Sequence, residues 1–335
     1  MKFGIIGCGG IARWHAGALR EIAGAALAAV CDMDTARAQA MGLEYGVPWF
    51  TVYDEMLRAV DAVCICTPSG LHARQAEQAL LAGKHVVAEK PLAITPQSLA
   101  RVLAAQKQSG MRLCVVAQLR FSPDVLQARQ FIGDGALGKI LMADLSMKYW
   151  RSPAYYQNSG WRGTWAMDGG GALMNQGIHG LDLLRFLCGD VADVRAYKNA
   201  LLHGIETEDA LAACFTFANG GMGVLTAATC AWPGHRRRLE IQGSAGCLTL
   251  EEDRLVYACT RDGLHIEQSV DEPHGNSDPL AISGEPHRRQ LAAFVEAVRS
   301  GAPFSPDGAE AAKTLELIFK IYEAAGRRIH GDSAG

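Results

Sequence analysis

The chain has 335 residues, 49% of them apolar, 20% charged and 7% aromatic, which is enough for a large core and excludes a disordered chain. Thirty-two Lys and Arg against 35 Asp and Glu leave a formal charge of −3, so there is no global attraction to nucleic acid or to an anionic membrane surface. At about 100–200 residues per domain two domains are expected, and a small-molecule enzyme is the class left standing.

In chain order, the first 120 residues alternate short β-branched apolar runs with helical stretches. KFGIIGCG, AALAAVCD, AVCICTP, HVVAEKP and LCVVAQL read as strands, several of them apolar throughout, as strands covered on both faces are. Helix-like segments lie between them, around Ala12–Ile22, Thr35–Gly42, Tyr53–Ala59, His72–Ala82 and Thr95–Ser109. Such alternation predicts a parallel α/β sheet. KFGIIG opens the chain directly, so no signal peptide is expected. No apolar run nears the roughly 20 residues of a spanning helix, and a cytoplasmic protein is expected.

After Phe121 the texture changes. A helix at Ser122–Ile132 leads into an alternating run, Lys139–Trp150, then into a loop of aromatic and small residues, Arg151–Gly171, and a helix at Ala172–Leu187. From Ala192 to about Ser269, strand-like runs joined by Asn-Gly-Gly, Pro-Gly, Gly-Ser-Ala-Gly and Asp-Gly turns predict an antiparallel sheet. Asp271–Gly284 is a candidate surface loop, and two helices, Glu285–Ser300 and Asp307–Arg328, finish the chain. The domain division expected is 1–121 and 122–335. Ten cysteines are scattered without C-x-x-C pairs or zinc spacing, as reduced core thiols would be.

Gly7-Cys8-Gly9-Gly10-Ile11-Ala12 follows the first strand and opens the first helix. This is G-x-G-x-x-A in its informative context: Gly7 permits the tight turn, Gly9 lets backbone approach a pyrophosphate, and a small residue lets helix pack on strand. The helix N-terminus then offers free N–H groups to phosphate. The second strand ends in Asp32, at the spacing of an acid that takes adenosine ribose hydroxyls. An acid there repels a 2′-phosphate, so NAD is expected, with NADP possible because Arg37 follows in the next helix. Cys8 reads as a small filler. Thr67-Pro68-Ser69 closes another strand. With His72 it either borders the nicotinamide half of the cofactor or simply caps the helix and satisfies backbone.

Glu89-Lys90-Pro91 ends the next strand at the same sheet edge. Oxidising a secondary alcohol requires removal of a proton as well as a hydride, and a lysine beside the reacting oxygen can take the proton or stabilise an alkoxide. Further on stands Asp168-Gly-Gly-Gly-Ala-Leu-Met-Asn175-Gln-Gly-Ile-His179-Gly-Leu-Asp182. At about 100° per residue, Asn175, His179 and Asp182 fall within a stripe of roughly 60° on an otherwise apolar helix. That pattern predicts a buried helix presenting polar groups to a cavity, with His179 as acid/base, Asn175 bonding substrate and Asp182 fixing the imidazole. The line lacks the further ligand a zinc site would add, so no metal is expected.

Together these segments resemble the Gfo/Idh/MocA oxidoreductase family, through GIIGCGGIA, CTPSGLHARQAEQALLAGKHVVAEKPLA and GGGALMNQGIHGLDLL in the family's order. The resemblance implies an N-terminal Rossmann domain and a C-terminal α/β domain with a large, mostly antiparallel open sheet that serves oligomerisation, as a homodimer or homotetramer. It implies that Lys90 and His179 handle the substrate proton, and that Pro91 follows a cis bond. Many members carry Asp where this chain has Asn175, and an amide cannot take a proton. The run WRGTWAMDGGGALMNQGIH is similar to members acting on nucleotide-linked or amino-modified sugars. Arg120, Trp161, Arg162 and Trp165 are either substrate contacts, through charge and ring stacking, or interdomain structure. His235-Arg236-Arg237-Arg238 reads as a solvated strand edge, the alternative being a contact to a sugar diphosphate. The activity implied is NAD(P)-dependent oxidation of a secondary ring hydroxyl of a sugar, sugar acid, nucleotide sugar or related polyol to a ketone. The alternatives are a catalytically silent NAD(P)-binding regulator and a redox-assisted glycosidase.

Overall fold

The computed structural model describes residues 1–268 and 284–327, so the loop expected at Asp271–Gly284 falls, but for Gly284, outside the described residues. The chain forms two compact units, one of Met1–Gln118 with Gly284–Leu315, the other beginning at Leu119 and taking in residues from 316 onward.

The first unit alternates β1 (Lys2–Ile6), α1 (Gly10–Glu21), β2 (Ala26–Cys31), α2 (Thr35–Tyr45), β3 (Trp49–Phe50), α3 (Tyr53–Arg58), β4 (Ala62–Ile65), α4 (Ser69–Leu81), β5 (His85–Ala88), α5 (Pro96–Ser109) and β6 (Leu113–Val115). The strands lie in the order β3-β2-β1-β4-β5-β6, every neighbouring pair parallel. This is the doubly wound order of a dinucleotide-binding sheet, whose chain reversal between β1 and β4 opens a crevice at the strand C-termini. β4 and β6 are buried along their whole length, which is why they read as apolar runs without alternation. Asp34 caps α2 by accepting from the Ala36 and Arg37 N–H groups, and Thr95 and Ser98 form a capping box on α5, each satisfying backbone donors that a helix start leaves open. β3 escaped the sequence reading because two residues carry no period.

In the second unit come α6 (Pro123–Gly133), β7 (Ile140–Lys148), α7 (Pro153–Gln157), α8 (Ile178–Cys188), β8 (Val191–Asn199), β9 (Ala210–Phe217), β10 (Met222–Ala228), β11 (Arg238–Gly243), β12 (Gly246–Glu251), β13 (Arg254–Thr260) and β14 (His265–Glu267). They build a sheet in the order β14-β13-β12-β11-β7-β10-β9-β8. Two meanders flank β7, which pairs parallel with β10 and antiparallel with β11, so the sheet is mostly antiparallel. Alternation is clean here: Leu145, Leu225, Phe215 and Ile241 are buried on the face that α8 covers at β7 and β11.

α9 (Glu285–Ser300) returns to pack on α1, and its Leu291, Phe294 and Val295 join Phe3, Ile5 and Leu19 in the core of the first unit. A fully buried side chain of this kind is worth about 1.5–3 kcal/mol. α10 (Gly308–Ala324) contains the division between the units. Among the described residues no helix is long and apolar enough to cross a membrane.

Candidate active site

The glycine loop leaves β1 at Gly7, whose φ of +90° is glycine territory. A Cβ on Gly7 would stand 2.7 Å from the Cys66 carbonyl, whereas one on Gly9 would meet nothing within 4 Å. Gly7 therefore packs the loop against the end of β4, and Gly9 leaves an open cradle. Gly9 is also the N-cap of α1, with no side-chain cap, so the first N–H groups of the helix, at Gly10, Ile11 and Ala12, remain for an anion. Ala12 is fully buried, where the packing of helix on strand demands a small residue.

Asp32 completes the cradle, one oxygen accepting the Cys8 N–H at 2.8 Å and the other the Asp34 N–H at 2.9 Å. Cys8 is buried, and burial with the nearby Asp32 charge pushes its thiol up to about 12, as an inert filler requires. Arg37 is two-thirds exposed and pairs with Asp34 at 3.3 Å. These features fit a dinucleotide.

At the neighbouring strand ends, α4 starts at Ser69 itself, behind Pro68, without a side-chain cap. The capping role open to Ser69 is therefore not the one found. His72 is buried and joins two loops: Nε2 lies 2.6 Å from the Thr67 carbonyl and Nδ1 2.8 Å from that of Pro91. Burial lowers its pKa against the pull of these two carbonyls. Lys90 and Pro91 are joined by a cis peptide bond, so His72 ties the Lys90-Pro91 segment to the end of β4.

Sequence reasoning passed over what lies beside Lys90. Glu89 is buried, and its Oε1 meets Nε2 of His15, on α1, at 2.8 Å. The His287 ring stands edge-on to His15 with centroids 6.2 Å apart. Burial works against charge on Glu89, but the hydrogen bond and charge of His15 outweigh it and, with Lys90, hold the carboxyl at about 2. Burial also opposes an imidazolium at His15, yet Cys66, Cys64 and Glu89 prevail and its pKa is raised well above 6.5. Burial keeps His287 neutral, at about 4.

The second unit supplies the polar helix. Its first turn, Ala172–Gly177, is π-helical and runs into α8. A wide π turn departs from the 100°-per-residue register assumed for the polar stripe, and such turns recur at functional sites. The cause is the start of the helix. Glu208, buried, accepts from the Gly171 and Leu173 N–H groups at 3.1 and 3.0 Å and from the Tyr322 hydroxyl at 2.9 Å. The Glu208 carbonyl also takes the Ala172 N–H. A Cβ on Gly171 would fall 1.8 Å from that carbonyl oxygen, and one on Gly170 2.1 Å from the Tyr322 hydroxyl. The glycine run is there because the Glu208 backbone and the Tyr322 phenol occupy the space.

Asp168 Oδ2 accepts the Gly163 N–H at 2.9 Å, and its Oδ1 takes the Asn175 amide at 2.7 Å. Asn175 in turn accepts from Gln176 at 3.0 Å. The carboxylate missing at 175 is thus present one side chain away, a role not foreseen for Asp168. His179 is half-buried. Asp182 lies inside, gripped by Arg120 through two bonds of 2.7 and 2.6 Å.

Arg120, expected as a substrate contact, is itself buried in that pair, beneath the Phe186 ring. Trp165 stands against Tyr322, Lys198 and Arg327, so its ring is engaged by protein. Trp161 and Arg162 stay together, with the Arg162 guanidinium 5.0 Å from the Trp161 ring. Arg236, Arg237 and Arg238 pair with Glu251, Glu252 and Glu240, but Arg237 is buried and β11 lies between β12 and β7, so the run is not the solvated strand edge expected.

A doubly wound sheet with a phosphate cradle, and a second sheet with a buried polar helix, define a two-part nicotinamide-dependent oxidoreductase. Comparison with known proteins agrees. Residues 1–117 match the oxidoreductase family with an NAD-binding Rossmann fold, and residues 125–249 match the GFO/IDH/MocA C-terminal domain. The chain belongs to the Gfo/Idh/MocA oxidoreductase family. It is 31% identical to the WlbA dehydrogenase of Bordetella pertussis, solved with NADH and UDP-GlcNAcA, over 97% of this chain and 95% of that one, with a TM-score of 0.86. It is 27% identical to inositol 2-dehydrogenase of Rhizobium meliloti over 95% of this chain and 94% of the relative. With D-apiose dehydrogenase of Paraburkholderia graminis it shares 28% identity over 97% and 87%.

Proposed function

We propose that this chain is an NAD-dependent dehydrogenase that oxidises a secondary ring hydroxyl of a sugar, sugar acid, nucleotide sugar or related polyol to a ketone. The observation that carries the reading is the shared C-terminal sheet edge, where the glycine cradle, Asp32 and the Glu89-Lys90-Pro91 segment follow β1, β2 and β5 of one Rossmann sheet. Residues 1–121 hold the dinucleotide and the part from residue 122 onward the substrate, apart from Gly284–Leu315, which complete the first unit. Gly7, Gly9, Gly10, Ile11 and Ala12 shape the pyrophosphate site, and Asp32 takes the adenosine ribose and disfavours a 2′-phosphate. Thr67, Pro68, Ser69, His72 and Glu89 form or support the strand ends next to it.

When bound, the nicotinamide ring accepts the hydride. Lys90 Nζ and the His179 imidazole remove the hydroxyl proton and hold the oxygen's developing charge, and Asn175, Trp161 and Arg162 orient the sugar. The exposed face of the second sheet carries Met142, Met222 and Val224, which are 53%, 56% and 43% exposed. We assign that face to a homodimer or homotetramer contact, and the protein to the cytoplasm.

The test is nicotinamide reduction with NAD⁺ and NADP⁺ against inositols, free sugars, sugar acids and nucleotide sugars. Lys90→Ala and His179→Ala are each expected to lower turnover by about 10²- to 10⁴-fold. Cofactor binding without turnover of any member would overturn the dehydrogenase reading. Activity surviving both changes would move the proton chemistry elsewhere.

A further inference from the structure

We propose that Cys247 and Cys259 form a reversible thiol–disulfide site, an oxidant-sensitive pair on the open face of the second sheet. Six of the ten cysteines are buried, as core thiols are, but Cys247 on β12 and Cys259 on β13 are only half-buried. The two stand directly opposite each other in an antiparallel ladder, and residues so paired project to the same side of a sheet. That side is turned away from the core. Leu248 and Ala258, the next facing pair, are fully buried, whereas Tyr257, one alternation further, is not.

The spacing admits a bond. Arg261 donates its N–H to the Ala245 carbonyl at 2.8 Å, and the ladder alternates, so the cysteines two positions on are a hydrogen-bonded pair with Cα atoms about 5.5 Å apart. A disulfide spans about 4.4–6.8 Å between Cα atoms. Its Cβ atoms prefer about 3.5–4.5 Å, against about 4.5–5.5 Å for facing residues of a ladder. Closing the bond therefore draws β13 toward β12, and a bond made under that tension is readily reduced. Gln242 faces Cys247 from β11 and stands between it and Met142 on β7, so the thiols lie toward the β14 edge of the sheet.

The neighbours supply the proton chemistry. His265 on β14 faces Cys259 from its other side, with its Nε2 3.5 Å from Glu267 Oε2 and its ring edge-on to Tyr257, centroids 5.8 Å apart. The thiolate is the reactive form of cysteine, and an adjacent imidazole that takes the thiol proton makes it available. With a peroxide as oxidant, the Cys259 sulfur attacks one peroxide oxygen, the O–O bond breaks, and water leaves with the thiol proton, giving a sulfenic acid. The Cys247 sulfur then attacks the Cys259 sulfur, the S–O bond breaks, and a second water leaves with the Cys247 proton. Two thiols have lost two hydrogens and two electrons, and one peroxide has become two waters.

The test is peptide mapping of the full chain, reduced, freed of reductant and exposed to hydrogen peroxide. Trypsin separates the pair into Leu239–Arg254 and Leu255–Arg261, each with one cysteine. The expected product is these two peptides joined, two hydrogens lighter than their sum, within a single chain on a non-reducing gel and separated again by dithiothreitol. C247S should block the link and leave Cys259 as a sulfenic acid that dimedone traps, and H265N should slow the link about tenfold. Links from Cys259 to Cys214 or to another chain overturn the proposal, as does a pair that stays reduced in the native protein, whether or not it links in urea. Equal rates in wild type and H265N overturn the part given to His265.

Discussion

His15 and Glu89 form a buried ion pair, each side chain less than a tenth exposed, and the change His15→Phe removes the partner while filling the space. The carboxyl of Glu89 is held at about 2 against an ordinary 4.5, which corresponds to about 3 kcal/mol of stability at neutral pH. Breaking a buried pair from one side typically costs about 3–5 kcal/mol, so both routes agree. In a chain of this size that is a fall in Tm of about 4–7 °C.

The pH dependence separates an ion pair from simple packing. A depressed carboxyl contributes stability that is complete above its unfolded value of 4.5 and is lost as pH falls toward 2. A raised imidazole contributes fully below 6.5 and loses its share as pH rises through its folded value. The pair therefore stabilises most between 4.5 and 6.5. In the variant, desolvation of Glu89 is opposed only by the nearby Lys90, and the carboxyl becomes a buried acid that prefers its proton. Melting followed by circular dichroism should show the gap from wild type narrowing by about 1 kcal/mol or more between pH 7 and pH 4. Adding Glu89→Leu should recover most of the loss, since an apolar pair replaces a charged one. A loss equal at both pH values, or no recovery in the double variant, would refute the ion-pair account.

Other consequences are equally direct. Gly171→Ala, whose Cβ would meet backbone at 1.8 Å, should cost at least about 3 kcal/mol or prevent folding. Gly17→Ala on α1, with open space at the same atom, should instead stabilise by up to about 1 kcal/mol, and similar melting shifts for the two would contradict the packing described. Asp182→Asn should cost about 3 kcal/mol by stranding the buried Arg120 charge, and a melting temperature within 1 °C of wild type would count against that pair. Asp32→Ser should raise the KM for NAD⁺ about tenfold or more and narrow the rejection of NADP⁺, because a charge-assisted acceptor is worth about 1.5–3 kcal/mol. Unchanged cofactor preference in initial-rate assays would remove Asp32 from the ribose.

What could be read from the chain and what could not divide along a physical line. The placement of the glycine loop, Asp32 and Lys90 was readable because each follows a strand of a repeating β-α unit, and the sheet carries every strand C-terminus to one edge. Position also foretold that Asn175 and His179 belong to a mostly buried helix. Roles that depend on a partner were not readable. His15 and Glu89 are 74 residues apart, Arg120 and Asp182 62, and Glu208 and Tyr322 114, and no local period encodes such meetings. The same cause displaced the polar stripe, since the helix register assumed for Asn175 presumes an undisturbed start, and Glu208 reaches in from a distant loop to set a π turn there. One signal did point beyond local pattern. Three consecutive glycines ahead of an apolar helix are too costly in backbone entropy to stand without cause, and they announce that another backbone must lie against them. That backbone belongs to Glu208, so the residue that shapes the start of the His179 helix was implied by the absence of side chains at Gly170 and Gly171 before its own identity could be read.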